Sequence, residues 1–174
     1  MGLKVGTVQL DEYNPMWKEE FQAEKQNLEK LFGSIALTIE HVGSTAVEGL
    51  SAKPIIDISV GVKSLNDFEE IRELFLNNAE YSIKEDSPSD EVLVRKGSEE
   101  NRTHFIHVME IESPRYKNTL AFRDYLRNNP EELKAYDELK RDLAEKYSDN
   151  RQMYTSSKND FIAGTLKKAT NKNK

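Results

Sequence analysis

The chain is predicted to be α+β, with a mixed β-sheet, helices packed on one face of it and further helices at the C-terminal end. Three observations predict this. Two β-branched runs, Ile35 to Val42 and Pro54 to Val62, flank a loop of small and polar residues. Apolar residues elsewhere recur at helical spacing. A capping residue is followed by proline at Asn14-Pro15, Ser113-Pro114 and Asn129-Pro130, the layout of a helix start.

Residues 3 to 10 alternate loosely and read as a short strand. After Asn14-Pro15, one helical face carries Trp17, Phe21, Leu28, Leu31 and Phe32, and Gly33 stops the helix. The two β-branched runs come next. Ser64 to Asn77 reads as a helix with Leu65, Phe68, Ile71, Leu74 and Phe75 in register and Ser64 and Asp67 at capping-box distance. Tyr81 to Asp86 and Val92 to Lys96 flank Ser87-Pro88-Ser89-Asp90, a hairpin for the sheet's edge. Thr103 to Ile111 is the last strand. Helices are then predicted near Arg115 to Arg127, Pro130 to Tyr147 and Gln152 to Lys168, and Thr170 to Lys174 reads as a disordered, solvated tail.

A chain of 174 residues is the size of one domain. Its expected division is a core over about residues 12–112 and a helical part over about 113–168. Hydrophobic residues at 37% and charged residues at 32% describe a globular protein with a well-charged surface. No apolar run approaches the roughly 20 residues of a membrane span. The N-terminus lacks the basic-then-apolar layout of a secretory signal, so a cytoplasmic location is expected. With no cysteine, thiol catalysis, disulfides and zinc–thiolate sites are excluded. A net charge of −6 argues against general nucleic-acid binding, which needs clustered cations.

The chemistry gathers around the first loop. Gly43 has no Cβ, so its backbone can approach a ligand, and Ser44 and Thr45 add hydroxyls beside N–H groups that suit an anion. Alternation along the second run puts Ile56, Ile58, Val60 and Val62 on one face and Ile55, Asp57, Ser59 and Gly61 on the other. A carboxylate facing a Gly-Ser turn is how a sheet holds a divalent metal bridging to a nucleoside triphosphate. A salt bridge from Lys53 or an arginine is the plain structural explanation of the same carboxylate. His104 and His107, three apart on a strand, point to opposite faces, so only one meets Asp57. Parity groups His107 with Phe105, Met109 and Ile111, a core-like set, and favours His104 and Glu110 as the polar face.

These residues resemble the GrpB-like family of the nucleotidyltransferase superfamily. The superfamily's motif, a hydrophobic residue and Gly-Ser followed on the next strand by Asp-hydrophobic-Asp/Glu-hydrophobic, is matched by Val42-Gly43-Ser44 and Asp57-Ile58-Ser59-Val60. The string H-V-G-S-T-A-V-E-G-L-S-A-K-P-I-I-D-I is similar to the GrpB-like version throughout, as are F-I-H-V-M-E, F-R-D-Y-L-R and Y-T-S-S-K-N-D-F-I. The resemblance spans Glu40 to Ile162. It implies a minimal nucleotidyltransferase-like core and a nucleoside triphosphate as substrate, with magnesium or manganese ions polarising its α-phosphate while an unidentified acceptor attacks. Gly43, Ser44, Thr45 and Lys53 would bind the triphosphate, joined by Arg123 and Lys158 if the C-terminal helices fold over the sheet. Asp57, Ser59 and Glu110 would hold metal, and Asp57, His107 and Glu110 would act in catalysis. Two departures stand out. Ser59 replaces the second metal carboxylate, which supports, as the alternative to a nucleotidyl-transferring enzyme, a nucleotide-binding or regulatory module, and Phe105 replaces a histidine. GrpB-like domains also resemble an appendage of some dephospho-coenzyme A kinases, which adds partner binding as a third reading.

Overall fold

The computed structural model describes residues 1–171. Five strands form one mixed sheet in the order β1-β2-β5-β4-β3: β1 (Thr38–Val42), β2 (Ile56–Val62), β3 (Tyr81–Ile83), β4 (Val92–Gly97) and β5 (Arg102–Glu110). β2 runs parallel to β5, and the other pairs are antiparallel. Placing β2 and β5 side by side at the centre is what brings Asp57 into register with Phe105, and Ser59 with His107.

One face of the sheet is covered by α1 (Met16–Phe32), α2 (Leu65–Glu69) and α3 (Arg72–Leu76). Trp17, Phe21, Leu28 and Phe32 of α1 and Phe68 and Phe75 of α2 and α3 pack on Ile56, Ile58, Val60, Ile106 and Val108, all buried. Each such side chain contributes about 1.5–3 kcal/mol relative to exposure, so this layer fixes the sheet. The other face is partly covered by α4 (Pro114–Asn128), whose Tyr116 hydroxyl meets Thr38 Oγ1 at 2.5 Å. A Cβ on Gly61 would stand 3.0 Å from the Tyr116 ring, so glycine lets α4 settle there. Then come α5 (Pro130–Lys146), α6 (Arg151–Ser156) and α7 (Asn159–Asn171). Leu126, Tyr136 and Phe161 form a second cluster with Val47 and Leu50 of the loop between β1 and β2.

The strand expected over residues 3–10 is replaced by two isolated bridges, Leu3 to Arg102 and Asp11 to Ala52. The helix expected from Ser64 is two helices, because Ile71 leaves helical dihedrals (φ −113°, ψ 1°) while its side chain is buried in the core. The capping box of Ser64 and Asp67 is present. The last predicted helix likewise divides into α6 and α7. Thr170 and Asn171 close α7 as helix, and the rest of the expected tail lies outside the described residues.

Candidate functional site

The turn after β1 sets Gly43 directly against Asp57. Gly43 has φ +70°, and a Cβ on it would stand 2.5 Å from Asp57 Oδ2, so only glycine permits both the dihedral and the approach. Ser44 to Ala46 form a 3-10 turn, and Ser44 lines the cleft together with Tyr136 of α5. The loop is held from the C-terminal side. Arg127 donates to Ala46 O at 2.7 and 3.1 Å, Asp137 accepts from the Ser51 N–H at 2.9 Å and from its hydroxyl, and buried Lys140 donates to Ser51 O.

Asp57 and His107 face each other across β2 and β5, with 33% and 28% of their side chains exposed to the cleft between sheet and C-terminal helices. His107 Nε2 donates to Asp57 Oδ1 at 3.4 Å and Nδ1 donates to Glu91 Oε1. Burial alone would depress His107, but hydrogen bonds to two carboxylates and their charges raise its pKa to about 9, so it is an imidazolium at neutral pH. Burial pushes Asp57 up, and the His107 bond with the charges of His107, Lys53 and Lys158 outweighs it, holding the carboxyl below its ordinary range. Arg115 extends the chain of charges, 3.5 Å from Glu91.

Two lysines flank the other side. Lys53 Nζ and Lys158 Nζ lie 5.3 and 4.5 Å from the centroid of the buried Tyr154 ring. Burial lowers Lys53 to about 7, helped by the charges of Arg151 and Lys158, and lowers Lys158 to about 8 despite Asp57. Arg151 stacks over Phe105 at 5.1 Å. The cleft measures about 1260 Å³, and its lining includes Lys53, Asp57, His107, Arg151 and Lys158 as well as Phe122, Tyr136, Ile162 and Leu166. An anion would meet desolvated cations, and a flat apolar group would meet aromatic walls.

The structure thus brings Gly43, Ser44, Thr45, Lys53, Asp57, His107, Arg123 and Lys158, of the residues singled out in the sequence, to the lining of one cleft. Two of these are engaged within the fold, and Ser59 and Glu110 lie elsewhere. Thr45 is buried with its hydroxyl 2.9 Å from His41 Nε2, so that oxygen is engaged in holding β1. Arg123 is buried, donating to Glu40, Asp124 and His41 O, and braces the end of β1. Ser59 is fully buried with no hydrogen-bond partner for its hydroxyl among the described residues, where α4 packs over β1 and β5. Glu110 shares its face with Val62, opposite to Asp57, and accepts from the Leu65 N–H at 3.2 Å. His104 and Glu110, expected on the polar face, thus both lie on the face away from Asp57. His104 lies on the helix-covered face, where burial lowers it to about 4, and His107 is the histidine in the cleft.

Glu91, Arg151, Tyr136 and Tyr154 are further residues of the site. Arg151 and Tyr154 stand on α6 and Lys158 in the turn before α7, at the spacings of three and four that the sequence offers as one helical face. Nothing local marks Glu91, which reaches His107 only through the pairing of β4 with β5. Among the described residues no group of three or more His, Asp or Glu side chains is placed to hold a metal ion. One carboxylate already accepting from an imidazolium, with Ser59 sealed and Glu110 on the far face, does not fit a two-cation centre. No described helix is long and apolar enough to cross a membrane.

Residues 7–168 match the family described as "GrpB protein". The chain belongs to the GrpB family. Among its GrpB-family relatives, the glutamate-rich protein GrpB of Alkalihalophilus pseudofirmus is 39% identical over 93% of this chain and 95% of its own length. The UPF0157 protein YqkA of Bacillus subtilis is 35% identical over 86% of this chain and 43% of its own. The crystal structure of conserved protein GrpB from Enterococcus faecalis superposes with a TM-score of 0.85 at 35% identity, covering 94% of this chain and 98% of that one.

Proposed function

We propose that this GrpB-family chain binds a nucleoside triphosphate in the cleft, on a nucleotidyltransferase-like core that has lost two-metal chemistry. The observation that carries the reading is the clustering of Lys53, Lys158, Arg151 and the His107 imidazolium around Asp57 and the Gly43-Ser44 turn packed against it. Cations held desolvated, three of them with pKa lowered by burial, favour a multiply charged anion over water. The aromatic wall of Phe122 and Tyr136 offers the base a stacking surface.

Ser59 and Glu110 support binding without transfer. The acceptor hydroxyl and leaving pyrophosphate of a nucleotidyl transfer need their charge stabilised by paired cations, and here Asp57 faces the Gly43-Ser44 turn with no second carboxylate two residues along its strand, while Asp90, also on the cleft lining, is paired with Arg115. Magnesium or manganese entering with the triphosphate would have Asp57 as its protein carboxylate and phosphate oxygens for the rest.

The test is a thermal-shift screen of nucleoside triphosphates with and without magnesium or manganese, followed by assay of pyrophosphate release. The expected result is a raised unfolding midpoint with at least one triphosphate and no turnover. Ligand at a hundredfold excess over Kd stabilises by about 2.7 kcal/mol, well within reach of the measurement. In Asp57→Asn, the part of the shift that depends on the divalent ion disappears. A screen with no shift from any triphosphate rejects the binding site, and catalytic pyrophosphate release rejects the module.

A further inference from the structure

The sheet's open face extends beyond Asp57. Asp57, Phe105 and Arg95 are neighbours across β2, β5 and β4, so Arg95 starts two strand spacings from Asp57, about 10 Å away. Phe105 stands between them with the Arg151 guanidinium over its ring. Arg102, at the start of β5, is 4% exposed and lines the same cleft with Arg95 and Arg151. The Nε atoms of Arg95 and Arg102, and Arg102 Nη1, are buried and have no hydrogen-bond partner among the described residues. A buried guanidinium donor without an acceptor is costly, and two side by side add repulsion. Burial and then the charge of Arg95 lower the pKa of Arg102, and Glu99 is the carboxylate that opposes this.

We propose that Arg95 and Arg102, with Arg151, form a second anion subsite on the β4–β5 side of the cleft that takes a phosphomonoester group. The guanidinium fork matches tetrahedral phosphate oxygens, and a dianion answers adjacent arginines better than a carboxylate does. The group belongs either to the nucleotide itself or to a separate small molecule seated across Phe105 from it. As part of a nucleotide site the proposal rests on the reading of the Gly43–Asp57 side; as a phosphate subsite it does not.

The experiment is calorimetric titration of the full chain with inorganic phosphate, with and without saturating nucleoside triphosphate, for wild type, Arg95→Gln, Arg102→Gln and Arg95→Lys. Wild type is expected to bind phosphate. Both glutamine variants lose tenfold or more in phosphate affinity, and Arg95→Lys, which keeps the charge, recovers part of the loss. Phosphate that still binds in the presence of triphosphate assigns the group to a separate molecule, and displaced phosphate assigns it to the nucleotide. Phosphate binding together with failure of every triphosphate sinks the nucleotide reading and leaves this subsite standing. No phosphate binding by wild type, or equal affinity in the glutamine variants, overturns it. Unfolding midpoints in phosphate-free buffer supply a second readout: variants that fall below wild type yet keep the full phosphate-dependent rise show the arginines to be structural.

Discussion

His104 and His107 sit three residues apart on one strand and are driven in opposite directions. His104 faces the layer of α1, where burial without a carboxylate bond drops its pKa to about 4. His107 faces the cleft between Asp57 and Glu91, and its pKa climbs to about 9. Both lose water, so desolvation alone does not decide the sign; the number of hydrogen-bonded carboxylates does. The helix-covered face is built from groups that are neutral or paired, whereas the cleft face concentrates charge that a ligand would complete.

The largest expected effect tests where the cleft face ends. Ser59→Asp would place a carboxylate at a fully buried position and is expected to cost about 3–5 kcal/mol in urea unfolding, with no relief from magnesium or manganese. Restoration of stability by metal would mean the cleft reaches Ser59 and that a second cation site exists.

Next is the pH behaviour of His107. Its folded pKa lies above the unfolded value of 6.5, so its contribution is complete below about pH 6.5 and is lost as pH rises to about 9. His107→Gln is therefore expected to be less stable than wild type by about 3 kcal/mol at pH 6, with the gap closing towards pH 9. A gap independent of pH would place His107 outside the charge network.

His104→Gln should behave in the opposite sense. A folded pKa of about 4 penalises wild type as pH falls from 6.5 to 4, so the variant gains on wild type over that window by about 2 kcal/mol. Parallel acid-unfolding curves would contradict the contrast between the two faces.

The last effect concerns the lysines. A bound triphosphate should restore the charge of Lys53 and Lys158, whose values of about 7 and 8 leave them partly neutral, so binding takes up protons. Affinity is expected to fall about ten- to a hundredfold between pH 6.5 and 8.5, and less steeply in Lys158→Met. Calorimetry in buffers of different ionisation enthalpy reads the proton uptake directly, and none detected would remove the lysines from the binding site.

Much of this was legible in the chain. The alternation of Ile56 to Val62 placed Asp57 on the face away from the core, and the spacing to Gly43-Ser44 placed the turn beside it. Periodicity failed at His107 and Glu110, because composition made the set of Phe105 and Met109 look like a core. Met109 is indeed buried, while Phe105 and His107 line a cleft closed by α4 and by helices more than forty residues later. Ser59 was readable as a missing charge but not as a sealed one, since burial by α4 is a tertiary fact. The pairing of Glu91 with His107 depends on strand register across β4 and β5, which no local pattern specifies.

The fastening of the loop before β2 has a consequence for how the protein is made. Ser51 is held by Asp137 and Lys140, residues 86 and 89 positions further along the chain. At translation speeds of about 5–20 residues per second, the loop waits on the order of 5–15 seconds after its own synthesis before those partners emerge. The sheet-and-helix layer of α1 to α3 is complete by then, while the cleft has no roof and its Gly43 turn has no anchor. A nascent chain paused before α5 should therefore carry the first core intact, protected from proteolysis, and bind no triphosphate.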